Sequence, residues 1–96
     1  MTEARRWLEP RLRGIPSSLR QRMEAALDAH MPRHAASPAQ SLRAVADALL
    51  EEAKRAGGAE GEARGVALTL LAADALVTYA CELEAETAPE RLAEMR

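Results

Sequence analysis

The segment from Val66 to Leu83, VALTLLAADALVTYACEL, constrains this chain more than any other stretch. It is apolar nearly all the way round a helix, yet it carries Asp74 at its centre. A surface helix shows one apolar stripe, whereas a helix apolar on most sides is enclosed by protein, by a partner chain or by lipid. The segment is therefore expected to organise the molecule as a central helix. Its many small residues would let neighbouring backbones come close.

What surrounds it must be helical too. Of the 96 residues, 48% are hydrophobic, Phe is absent, and Trp7 and Tyr79 are the only aromatics. Ala and Leu dominate, and both favour helix over strand. One domain over residues 1–96 is the expectation for this length, near the lower end of sizes that fold without disulfides or metals. Because Ala buries little area, the core is thin, and pairing with a second copy is a natural remedy. Cys81 has no partner for an internal disulfide, and Met1 to Gly14 is Arg-rich and acid-bearing rather than apolar, so a cytoplasmic protein is expected.

The helix boundaries follow from local signals. Ala4, Trp7, Leu8 and Leu12 recur at helical spacing over about Thr2–Arg13, and Gly14-Ile15-Pro16 ends that helix. Ser18-Leu19-Arg20-Gln21 has the form of a capping box, with Leu19, Met23, Leu27 and Met31 as the stripe of a second helix that stops before Pro32. Ser37-Pro38-Ala39-Gln40 combines an N-cap serine, a first-position proline and a glutamine at the third position. Leu42, Val45, Ala46, Leu49 and Ala53 then mark the buried face of a third helix, ended by Gly57-Gly58. A fourth helix is predicted from about Glu60 to Glu86. Thr87-Ala88-Pro89-Glu90 reads as a further capping box before a short C-terminal helix carrying Leu92 and Met95. The fold class expected is all-α: a bundle of four main helices plus a short one.

Few residues offer chemistry. Asp74, Thr78 and Glu82 stand at i, i+4 and i+8, a polar seam on an apolar rod. Asp74 is thus the one candidate for a buried carboxylate, against a plainer reading in which the seam faces solvent. His30 and His34 have a spacing that suits two metal ligands on a helix, but Pro32 lies between them, and Glu24 and Asp28 add no ligand at a characteristic spacing. Cys81 has no neighbouring His to activate it. Gly57, Gly58 and Gly61 are punctuation between helices, and neither a phosphate-cradling loop nor a nucleophile elbow is present. The reading is non-enzymatic, with no cofactor and no metal.

Residues 71–83, LAADALVTYACEL, resemble a helix of the trans-isoprenyl diphosphate synthases that often reads LAGDALLTLAFEL. The chemistry of that family resides in two DDxxD motifs that bind magnesium and diphosphate. Neither motif occurs in this chain, so no catalytic residue carries over. The resemblance implies only how such a helix packs: buried, with small residues facing its neighbours.

Charge supplies the remaining clue. The net charge is -2, but residues 1–43 carry eight Arg and four acids, and residues 44–96 carry five bases and eleven acids. Glu82, Glu84, Glu86, Glu90 and Glu94 crowd the end of the long helix and the residues after it, where negative charge opposes the macrodipole. Setting the first helix beside them, with Arg5, Arg6, Arg11 and Arg13 around Trp7, would relieve the conflict within one chain or between two. The expected function is protein–protein association: a homo-oligomer, dimer or larger, assembled by helix packing and Arg–Glu pairing. One alternative is a nucleic-acid module using Arg5, Arg6, Arg11, Arg13, Arg20 and Arg22. The other is a membrane-complex subunit with residues 66–83 in lipid, where Asp74 would cost about 2.5–3.5 kcal/mol.

Overall fold

The computed structural model describes residues 2–34, 37–56 and 63–87. They form four α-helices: α1 (Glu3–Leu12), α2 (Ser17–His30), α3 (Pro38–Ala56) and α4 (Ala63–Thr87). Among the described residues there is no strand, and the all-α expectation holds. The proposed terminal helix with Leu92 and Met95, the Gly57-Gly58 stop and the Glu60 start lie outside the described residues.

The starts of α1, α2 and α3 have local causes, and one differs from the sequence reading. At α1, the Thr2 hydroxyl accepts a hydrogen bond from the Arg5 N–H at 3.2 Å. Pro10 sits inside this short helix, where it lacks the N–H that would bond the Arg6 carbonyl. At α3, Ser37 Oγ accepts from the Gln40 N–H at 3.2 Å, with Pro38 in the first helical position as expected. At α2 the capping box at Ser18 is not formed. The helix already begins at Ser17, Pro16 occupies the cap position, and no side chain caps it. The turn through Ile15-Pro16 sets the start, which puts Ser18 inside the first turn, too late to cap. The far end of α2 behaves as predicted: Met31 is extended at φ -61°, ψ 120°, the conformation that a following proline imposes.

Packing follows the predicted stripes closely. Ala4, Leu8 and Leu12 of α1, Met23 and Leu27 of α2, and Leu42, Val45, Ala46, Leu49 and Ala53 of α3 are all buried. Trp7, Leu19 and Met31 are half-buried against the same core. Helices α3 and α4 make the most extensive contact, α2 packs on both, and α1 leans on α3. Ala53 and Ala56 near the end of α3 share a depression with Gly65, Val66 and Thr69 near the start of α4, so the pair runs antiparallel. Alanines line much of this contact, including Ala46, Ala53, Ala72 and Ala73, and small side chains allow the two backbones to approach closely.

The long helix differs from its expected enclosure. Its buried residues are Thr69, Ala72, Ala73, Leu76, Ala80, Leu83 and Glu84, an arc of about 120° at 100° per residue. The opposite side is open, and Leu70 and Leu71 are 45% and 56% exposed there. Within the single chain α4 is a one-sided helix whose outer side is also apolar over its first half.

Candidate interaction surfaces

The acidic end of α4 meets α1 through one aromatic–cation corner. Trp7 and Arg11 stand one turn apart on α1, and Tyr79, Glu82 and Glu86 occupy successive turns of α4. The Trp7 and Tyr79 rings meet edge to face, with centroids 6.2 Å apart and planes at 75°. The Arg11 guanidinium lies over the indole at 3.6 Å from the ring centroid. Its Nη1 donates to the Trp7 carbonyl at 2.8 Å. Its other nitrogens approach Glu82 Oε2 at 3.7 Å and Glu86 Oε2 at 3.5 Å. The Trp7 indole N–H donates to the same Glu86 oxygen at 3.1 Å. Two acids that oppose the α4 dipole are thus offset by a cation from a neighbouring helix.

This corner gathers Trp7, Arg11, Glu82 and Glu86 from the residues singled out in the sequence, and leaves the others elsewhere. Arg5 pairs with Asp28 of α2 instead of an α4 acid. Arg6 and Arg13 are exposed. Glu84 faces inward at 7% exposure, beside Leu83 on the buried arc. Adjacent residues on a helix point about 100° apart, so Glu82, Glu84 and Glu86 cannot all share one face.

A second polar contact ties three helices together. Arg22 of α2 donates through Nη2 to Glu52 Oε1 of α3 at 2.7 Å and through Nε to Thr69 Oγ1 of α4 at 3.3 Å. Thr69 is buried, so its hydroxyl needs such a partner. Glu52 also has His30 Nε2 at 4.0 Å. Arg20 pairs with Glu24 one turn along α2. Of the six arginines that could have formed a phosphate-binding face, Arg5, Arg11, Arg20 and Arg22 thus already face carboxylates. The Arg22 contact was not foreseen. Its signal was the combination of Thr69 on the inner arc of an apolar helix with an arginine one position from Met23.

The outer side of α4 decides between the two readings of Asp74. This residue is exposed, as are Thr78 and Glu82. The buried arc runs through Ala72, Ala73, Leu76 and Ala80, and Asp74 lies about 140° away from its centre at 100° per residue. The Thr78 hydroxyl donates to the Asp74 backbone carbonyl at 3.0 Å, not to its carboxylate. The polar seam faces solvent, as the plainer alternative had it. On the same side, nearer the start of α4, stand Arg64, Ala67, Leu70 and Leu71, all exposed. Leu50 of α3 is the third large apolar side chain at the surface among the described residues. It lies one turn before Ala53, level with the first half of α4. His34 is exposed beyond Pro32, and Cys81 is half-buried. Among the described residues no three His, Cys, Asp or Glu side chains cluster to hold a metal ion. No protein-family model, curated protein or solved structure matches the chain.

Proposed function

We propose that the chain is a non-enzymatic protein–protein interaction or assembly subunit: a small helical bundle, cytoplasmic, that self-associates by helix packing. One observation carries the reading. Helix α4 contains an 18-residue window with a mean hydropathy of 1.6, long and apolar enough to cross a membrane by length and composition, yet only 33% of that window is buried. An apolar helix with two exposed leucines on its open side has surface to spare for a partner. The finer elements of the bundle, a long helix at its centre and a short helix after Thr87, belong to the same proposal. In an assembled molecule the partner would supply the enclosure that the sequence of α4 implies.

The contribution of Arg–Glu pairing takes a narrower form in this reading. Arg11 is matched to Glu82 and Glu86 inside one chain, which leaves apolar packing as the source of affinity and the remaining charges as guides to register.

Size-exclusion chromatography with light scattering tests the proposal, run without detergent at low and high salt while absorbance is recorded at 260 and 280 nm. A nucleic-acid-free dimer or larger species is the expected result. A monomer carrying 260 nm material that it sheds at high salt would replace the proposal with nucleic-acid binding through Arg6 and Arg13. A chain that stays in solution only with detergent would replace it with the lipid reading.

A further inference from the structure

We propose that the partner on the outer face of α4 is a second copy of this chain, docked antiparallel so that Arg64 of each copy meets Asp74 of the other. The inference rests on the self-association just argued and assigns its surface and register. Along the open side, Arg64, Ala67, Leu71 and Asp74 follow at intervals of three, four and three residues. That is the spacing of a coiled-coil seam. All four are exposed, and neither Arg64 nor Asp74 makes an ion pair among the described residues.

The order of these residues reads positive, apolar, apolar, negative. Reversed, it becomes its own complement. A two-fold axis at the level of Thr69 sets Arg64 against the second copy's Asp74, Ala67 against its Leu71, and both pairs again by symmetry, as an isologous interface requires. A parallel arrangement would instead stack Asp74 on Asp74 and Arg64 on Arg64, and would align the two helix dipoles. Both penalties disappear in the antiparallel pair. Arg64 and Asp74 lie about 15 Å apart along their own helix at 1.5 Å per residue, so no ion pair between them can form within one chain.

Leucines supply the affinity. Leu71 packs over the small Ala67 of the other copy, and Leu70 flanks the seam. A stable interface covers about 800 Å² per partner, more than one short helix face provides. The contact therefore extends beyond the seam, and Leu50 of α3 is the remaining large apolar side chain exposed among the described residues.

Charge reversal tests the register independently of the association. The protein, Arg64→Asp, Asp74→Arg and the double variant are compared by sedimentation over a wide concentration range, with circular dichroism to check that each stays helical. Each single reversal creates two like-charge contacts and is expected to weaken the dimer by about tenfold or more. The double reversal restores opposite charges and is expected to return within about threefold of the original. A dimer indifferent to all three changes would overturn the register and leave self-association standing. A chain that is monomeric throughout would overturn both.

Discussion

The two halves of α4 handle their surfaces in opposite ways. At the C-terminal half, the outward acids and the aromatic ring have partners inside the chain. Glu82 and Glu86 face Arg11, the Tyr79 ring faces the edge of Trp7, and the indole N–H reaches a carboxylate. At the N-terminal half, Leu70 and Leu71 stand exposed. The difference separates charge from apolar surface. Electrostatic strain in this protein is relieved locally by a neighbouring helix, while unburied apolar area is left for something outside the chain. Stability should therefore respond to the inner arc of α4 and to its acidic end, and association chiefly to the open half.

The largest effect belongs to the inner arc. Leu76 is fully buried, and Leu76→Asp puts an unpaired carboxylate in the core, at a cost of about 4 kcal/mol or more. Loss of the helical circular-dichroism signal at room temperature is the expected outcome. A variant that kept its helicity would show that the inner arc is not the core of the fold.

Next is the three-helix contact at Arg22. Replacing it by Met keeps the aliphatic stem but leaves the buried Thr69 hydroxyl and Glu52 without their cation. A charge-assisted pair of this kind contributes about 1.5–3 kcal/mol. Because Glu52 is partly exposed and can recover water, a loss near the lower end is expected. The urea midpoint should fall without a change in slope.

Arg11 tests the acidic end of α4. Arg11→Met removes the cation over Trp7 and both carboxylate contacts, all near the surface, for a loss of about 1 kcal/mol. Part of that loss is ionic and should shrink in 1 M salt, where the screening length falls to about 3 Å. Trp7 is the only tryptophan, so its fluorescence reports both the unfolding midpoint and the local change. A loss independent of salt would assign the corner to packing rather than charge.

How much of the fold was legible in the sequence depended on whether the signal was local. Helix α3 was readable in its start and its buried face, because Ser37, Pro38 and Gln40 fix the one and Leu42, Val45, Ala46, Leu49 and Ala53 repeat with one period along the other. That the first helix would meet the acids of α4 followed from the helix dipole, but the sequence left open whether within one chain or between two, and could not say that Arg11 would make the contact while Arg5 turns to Asp28. One reading failed for a physical reason, and one was incomplete. Ser18 looks like a cap, but the turn at Pro16 starts α2 two residues sooner. In α4 hydropathy counts Ala and Leu alike on every side and carries no direction, so the pattern did not say which arc of the helix the chain itself buries. Leu70 and Leu71 did hold the missing cue: with Leu76 on the inner arc, both lie too far round the helix to share it.

The smallest effect on folding and the sharpest on the comparison should come from Leu71 itself. Because Leu71 is 56% exposed, Leu71→Ser is expected to leave the stability of the isolated chain within about 0.5 kcal/mol. A chain that dimerises through this face gains stability with concentration, since the folded dimer draws the equilibrium away from the unfolded state. The protein's midpoint should accordingly rise as it is concentrated, and the midpoint of Leu71→Ser should rise far less. Arg11→Met offers the matching control: a lower midpoint at every concentration, with the concentration dependence retained. If Arg11→Met removed that dependence instead, association would run through the acidic end of α4, and the division between the two halves of the helix would be reversed.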